Sequence, residues 1–271
     1  MLHIATVHYR SPRWVEIQTR YLRDHIKVPF QTWTSLEEID PSYGSHFDHV
    51  IEQLGPHAGK LNHLAMEISE VADPDDLLMF LDGDAFPIAD PMPTLEAALS
   101  RVPLVAVRRA ENLDEPQPHP CFCVTSVGTW RSLPGDWSAG PAWRGPRGRL
   151  RTDVGGALMR RLELTGTPWE ALLRTNRHDL DPIFFGVYGD IVYHHGSGFR
   201  KGGPSGVHKT AGAPTPVRVP PIPGARRIGK AIDTRRWRGW EERTQGERLA
   251  VSQSLYDRIK AGDETWLSEL I

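Results

Sequence analysis

A chain of 271 residues is long enough for one large α/β domain, or for one domain with an appendage. Its 32 basic and 34 acidic side chains leave a formal net charge of −2, which gives no electrostatic footprint for nucleic acid. No apolar run reaches the length that spans a bilayer, and the two cysteines, Cys121 and Cys123 in "HPCFCV", sit too close for a disulfide and are too few for a zinc site, so a reduced, cytoplasmic setting is expected.

The start, "MLHIATVHYR", lacks the basic region, long apolar stretch and cleavage site of a signal peptide and reads as a first strand. "RWVEIQTRYLRDHI" follows with Trp14, Ile17, Tyr21, Leu22 and Ile26 at helical spacing, so one face is apolar. "VPFQTWT" reads as a second strand. "GKLNHLAMEISEVA" is a second amphipathic helix, with Leu61, Leu64, Ala65, Ile68 and Val71 on one side. "DPDD" breaks the pattern, and "LLMFL" then gives a continuous apolar run of strand length, as a strand buried on both faces requires. Strand, helix, strand, helix, strand predicts an α/β fold with a Rossmann-like sheet.

Beyond Asp90, "VPLVAVRR" and "HPCFCVTSV" read as strands, and "WRSLPGDWSAGPAWRGPRGRL" as an irregular loop rich in Trp, Gly, Pro and Arg. "DVGGALMRRLEL" is helical, with Asp153 as N-cap. "IFFGVYGDIVYHHG" holds one or two strands. Gly202–Gly224 is a Pro/Gly-rich linker or lid, and the tail returns to helix, with Leu249, Val251, Leu255, Ile259, Leu267 and Leu270 as its apolar positions. The expected organisation is one large unit over 1–201 in two halves that divide at about residue 90, a linker or lid over 202–225, and a helical extension over 226–271 through whose helices a homodimer is possible.

The central strand ends in "FLDGDAFP". Asp82 and Asp84 stand at i and i+2, where an extended backbone points both side chains the same way about 7 Å apart. Ligands of open α/β sheets bind at the carboxyl ends of the strands. Two carboxylates there suit a hard divalent cation, Mg²⁺ or Mn²⁺, and Gly83 leaves space for a large group to approach; "DGD" is also ordinary turn chemistry. The segment resembles the D-x-D motif of GT-A-fold glycosyltransferases, which transfer sugars, commonly hexoses, from nucleotide-sugar donors. There the motif holds the metal that clamps the donor diphosphate.

The resemblance extends over roughly residues 3 to 201 in matching order, and it implies a catalytic unit over 1–201 with a nucleotide-sugar half to about 90 and an acceptor half from about 91. Lys60 and Asn62 in "HAGKLNHLAMEI" stand where many GT-A enzymes carry nucleotide-contacting residues, and Tyr9, closing the first strand, is grouped with them. "TDVGGALMRRLE" is similar to the D-Q-x-x-x-N helix of retaining enzymes such as glycogenin and the bacterial α-galactosyltransferases, with Val154 in place of Gln. The resemblance puts Asp153 beside the transferred sugar. "VYHHGSGFRKG" resembles the late H-x-G-x-x-K segment, which implies His194 or His195 as a metal ligand and Arg200, with Lys201, as the diphosphate contact. Asp181 in "HDLDPIFFG" is a further candidate general base or acceptor contact. Trp130, Trp137 and Trp143 form a candidate stacking platform for a saccharide or glycoconjugate acceptor.

Retention or inversion of configuration stays open. Three rivals share a strand ending in carboxylates. A dehalogenase-type phosphatase would continue D-x-D with Thr or Val, where this chain has "DAFP". A metal-dependent nucleotidyltransferase would carry a Gly-rich basic loop near the first strand, where this chain has "HYRSPRW". A nucleotide-sugar-binding module without turnover would keep every feature.

Overall fold

A computed structural model describes residues 1–144, 150–199 and 225–271. A seven-stranded sheet is built from β1 (Leu2–Tyr9), β2 (Phe30–Glu37), β3 (His49–Val50), β4 (Leu77–Asp82), β6 (Leu104–Val107), β7 (His119–Ser126) and β10 (Glu170–Leu172). A smaller sheet joins β5 (Ala85–Pro87), β11 (Gly186–Tyr188) and β12 (Val192–His194), and β8 (Trp143–Arg144) pairs with β9 (Leu150–Arg151). The helices are α1 (Val15–His25), α2 (His57–Val71), α3 (Met92–Leu99), α4 (Val127–Ser132), α5 (Gly156–Thr165) and α6 (Ala225–Ala261), with a final 3₁₀ segment over Glu264–Glu269.

The order of the large sheet is β10-β6-β7-β4-β1-β2-β3, so "LLMFL" occupies its middle strand. β4, β1, β2 and β3 are mutually parallel, whereas β7 runs antiparallel to both β4 and β6. The result is a mixed, Rossmann-like sheet flanked by helices, the fold class that the sequence predicts.

The continuous apolar run of β4 is explained by cover on both faces. Met79 and Leu81 join Leu22, Ile26, Leu95 and Ala98 beneath α1 and α3. Leu78 and Phe80 join Leu61, Leu64, Ile68, Leu158 and Leu162 beneath α2 and α5. All four β4 side chains are fully buried, and each contributes roughly 1.5–3 kcal/mol relative to exposure.

A third core cluster draws the tail inward. Leu255, Ile259, Trp266 and Leu270 pack with Trp14 at the start of α1, with Ile17 and Tyr21 of α1, and with Phe86 and Tyr193 of the small sheet. The final turns of the chain thus complete this core. Of the tail's apolar positions, Leu255, Ile259 and Leu270 are buried within the chain itself. The 202–225 segment falls outside the described residues except for Ala225.

Candidate metal and nucleotide site

Topology assembles the site. Asp82 closes β4, in register with Val7 of β1, and Gly83 and Asp84 follow. The chain then turns back as β5, which pairs antiparallel with β12 so that Ala85 faces His194. Because β7 is antiparallel to β4, its first residues, His119 to Cys121, lie beside the end of β4. Side chains distant in sequence thus converge at the carboxyl end of the central strand.

Asp82, Asp84 and His194 each offer a ligand atom, and these atoms lie within 4.8 Å of one another. His194 Nε2 stands 3.5 Å from Asp82 Oδ2 and 3.4 Å from Asp84 Oδ1. Ligands about 2.1 Å from an octahedral cation are about 3 Å apart when cis and about 4 Å when trans, so this group needs little closure to hold one. Two carboxylate oxygens and one imidazole form a donor set that suits a divalent cation.

The electrostatics favour an ionised carboxylate. Burial opposes the charge on Asp82, but the imidazoles of His57, His119 and His194 hold its pKa well below the carboxylate range. Burial likewise opposes a charged His194, yet Cys121 and Asp84 raise its pKa well above the ordinary value.

His195 does not share this group, so of the two histidines that the sequence leaves open only His194 stands beside the aspartates. Its backbone N–H donates to Asp84 O at 3.0 Å, while its fully buried ring turns to the other side. There it packs on Trp14, Phe185 and Phe199, with Nδ1 3.0 Å from the Tyr193 hydroxyl. Successive strand residues face opposite ways, so only one of the pair can look at the aspartates.

Gly83 also has a different reason from the one expected. A Cβ there would lie 2.5 Å from Val7 O and 2.8 Å from His8 Nδ1, so the space beside it is filled by β1 and not kept for a ligand.

The turn is clamped by a residue that sequence reasoning missed. Gln18 of α1 is fully buried. Its amide nitrogen donates to Asp82 O at 2.8 Å and to Ala85 O at 2.7 Å. Its oxygen accepts from Thr6 Oγ1 at 3.1 Å and lies 3.0 Å from His8 Nε2. A polar residue inside the apolar stripe between Ile17 and Tyr21 is the signal that could have revealed it.

His8 yields a testable pH dependence. Burial drives its pKa down to about 4, partly offset by Gln18. The unfolded chain then binds the proton more readily between about 6.5 and 4. The neutral imidazole's contribution is complete above about pH 6.5 and is lost as pH falls toward 4, with a ceiling of about 3 kcal/mol. Denaturant titrations at pH 7 and pH 4.5 should show a smaller loss in His8→Gln than in the wild type. Equal losses would show that His8 does not carry it.

The remaining predicted residues divide. Lys60 is buried and ion-paired with Glu37, with Nζ 4.7 Å from the centre of the Tyr9 ring, so Lys60 and Tyr9 meet where β1 and β2 end. Asn62 is occupied otherwise: its Nδ2 donates to Asp136 Oδ1 at 2.7 Å and its Oδ1 accepts the Trp137 N–H at 2.9 Å, which fixes a loop instead of facing a nucleotide. Asp153 is not the α5 N-cap; Gly155, at φ 86°, holds that position. The Asp153 carboxylate instead receives Arg109 at 3.2 Å, a guanidinium that also lies 2.8 Å from buried Glu115. Burial pushes the Glu115 carboxyl up to about 7, against the pull of Arg109.

Asp181 caps its own loop, accepting the Ile183 and Phe184 N–H groups at 2.8 and 3.1 Å, which leaves that oxygen no role as a base. Trp130 and Trp137 are buried against Phe80 at 4.7 and 5.0 Å and pack over the sheet, so they form no sugar platform; Trp143 is half-buried in β8. Arg200 and Lys201 lie outside the described residues.

No family profile and no curated protein matches the chain. Several solved structures overlap it in shape. A mannosyltransferase from Pyrobaculum calidifontis in complex with GDP-Man and Mn²⁺ is 11% identical over 63% of this chain and 54% of its own, with a TM-score of 0.46. The galactosyltransferase LgtC, with donor and acceptor sugar analogs, is 11% identical over 48% of this chain and 59% of its own, at 0.34. The glycosyltransferase GlyE of Streptococcus pneumoniae TIGR4 is 14% identical over 48% of this chain and 35% of its own, at 0.36. The chain thus matches only part of each relative's length, and overlaps of this size assign no function. Among the described residues, no helix is long and apolar enough to cross a membrane.

Proposed function

We propose that the chain is a metal-dependent glycosyltransferase. On this reading it moves a sugar, a hexose, from a nucleoside-diphosphate-sugar to a hydroxyl of a saccharide or glycoconjugate. The observation that carries the reading is the convergence of Asp82, Asp84 and His194 at the carboxyl end of the central strand. Asp84 and His194 supply two ligands, and Asp82 supplies a carboxylate oxygen on the same side. Mn²⁺ or Mg²⁺ bound there would supply Lewis-acid stabilisation of the charge that grows on the leaving diphosphate.

The chain's own groups do the rest. Tyr9 and Lys60 border the site at the ends of β1 and β2, where a nucleoside would lie. Asp153, oriented by Arg109, is the carboxylate assigned to the sugar, whose anomeric centre becomes oxocarbenium-like. Arg200 keeps the diphosphate role that the sequence resemblance implies. The two cysteines are free thiols, in keeping with a reducing, cytoplasmic setting.

The test is turnover without acceptor. UDP-, GDP- and dTDP-sugars are incubated with the protein and Mn²⁺, and released nucleoside diphosphate is measured against a chelated control. Slow metal-dependent release of diphosphate from one of them is expected. Cleavage of phosphomonoesters instead, or ligand-induced thermal stabilisation with no release, would replace the transferase reading with a phosphatase or a binding module.

A further inference from the structure

His57 is the first residue of α2, directly after Pro56. Its Nε2 lies 2.9 Å from Asp82 Oδ1, and its side chain is 38% exposed. The other oxygen of the same carboxylate, Oδ2, is the one that lies 3.5 Å from His194. The two oxygens of Asp82 are therefore divided: one is held by an imidazole N–H from α2, and one faces the cation group. Gln18 fixes the Asp82 backbone through its carbonyl, but it does not touch the carboxylate.

We infer that His57 is a positioning residue that orients Asp82 to present a single oxygen, Oδ2, to a divalent cation. The inference rests on the metal-site reading above. Its chemistry is that of a hydrogen-bond donor locking a ligating carboxylate, and losing such a partner typically costs 10–100-fold in metal affinity. A pivoting carboxylate would otherwise share its two oxygens between the cation and water.

The experiment measures Mn²⁺ binding by electron paramagnetic resonance of the free ion, on the full chain, without nucleotide. His57→Ala should weaken Mn²⁺ binding by about 10-fold or more. His57→Gln, whose amide N–H reaches close to the Nε2 position, should recover most of the loss. Both variants should melt close to the wild type, since the side chain is more than a third exposed. Asp84→Ala serves as the reference for the site itself.

If Asp84→Ala abolishes Mn²⁺ binding while His57→Ala leaves it unchanged, His57 does not position the ligand and the metal site stands. If Asp84→Ala also binds Mn²⁺ normally, the metal-site reading has failed. A His57→Ala variant that loses affinity for nucleoside diphosphate but none for Mn²⁺ would assign His57 to direct nucleotide contact and overturn the positioning role, as would a His57→Gln variant no better than His57→Ala.

Discussion

Asp84→Ala is expected to lower kcat/KM for sugar transfer by about 10³-fold or more, and to do so without unfolding the protein. The size follows from the task given to the residue. A cation acting on a leaving diphosphate supplies several kcal/mol of transition-state stabilisation, and each 1.36 kcal/mol is tenfold in rate. The tolerance of the fold follows from position. The Asp84 side chain is 22% exposed and, among the described residues, its one ion pair is with His194, so its loss empties no core. Asp82→Ala should be as damaging to activity and somewhat worse for stability, because that side chain is more buried and also holds His57. Steady-state kinetics with Mn²⁺, alongside thermal melts of the same preparations, check both halves. An Asp84→Ala enzyme with most of its activity would put the metal elsewhere.

Gln18→Leu should produce the largest loss of stability of any single change near the site. The substitution keeps the approximate volume and removes every polar contact of the amide. Asp82 O and Ala85 O lose their donors, and Thr6 Oγ1 and His8 Nε2 lose their acceptor. A buried polar group left unsatisfied costs about 1–3 kcal/mol, so these groups together cost about 4 kcal/mol or more. That is a large share of the 5–15 kcal/mol that typically holds a domain together, and it corresponds to a Tm roughly 10 °C lower. Gln18→Glu separates bonding from packing. A carboxylate of the same shape meets two carbonyl oxygens it cannot donate to, so it should fail as badly as Leu. Denaturant melts that place either variant within about 1 kcal/mol of the wild type would show that the clamp is not what holds the turn.

These two residues mark the boundary of what the chain discloses in one dimension. The strand "LLMFL" was legible because burial on both faces demands an unbroken apolar run, and its terminal aspartates followed from where such strands end. The small sheet was visible as "IFFGVYGDIVYHHG", but its pairing with Ala85–Pro87 was not, and that pairing decides which histidine faces the aspartates. Local spacing could not choose between His194 and His195; the alternation of side chains along β12 does.

Gln18 and His57 were missed for a related reason. Each meets the Asp82 segment only because α1 and α2 pack on opposite faces of the same strand. Trp130 and Trp137 misled in the opposite sense. A Gly/Pro-rich loop with indoles suggested exposure, yet the large apolar area of each ring is used to cover Phe80. The sequence suggests that Gly83 leaves space for a large group to approach, but the neighbour that fills that space is β1. Asp181 and Asn62 were the right residue types in the right region, and backbone N–H groups and a loop carboxylate claimed them first.

The most direct measurement is crystallographic. Crystals of the full chain soaked with Mn²⁺ and a nucleoside diphosphate are measured at the manganese edge, where anomalous scattering locates the ion independently of interpretation. One strong peak is expected at ligand distance, about 2.0–2.3 Å, from Asp84 and His194, with a single oxygen of Asp82 beside it and diphosphate oxygens on the open side. A peak elsewhere in the fold, or none between these three side chains in a crystal that shows the bound diphosphate, would contradict it.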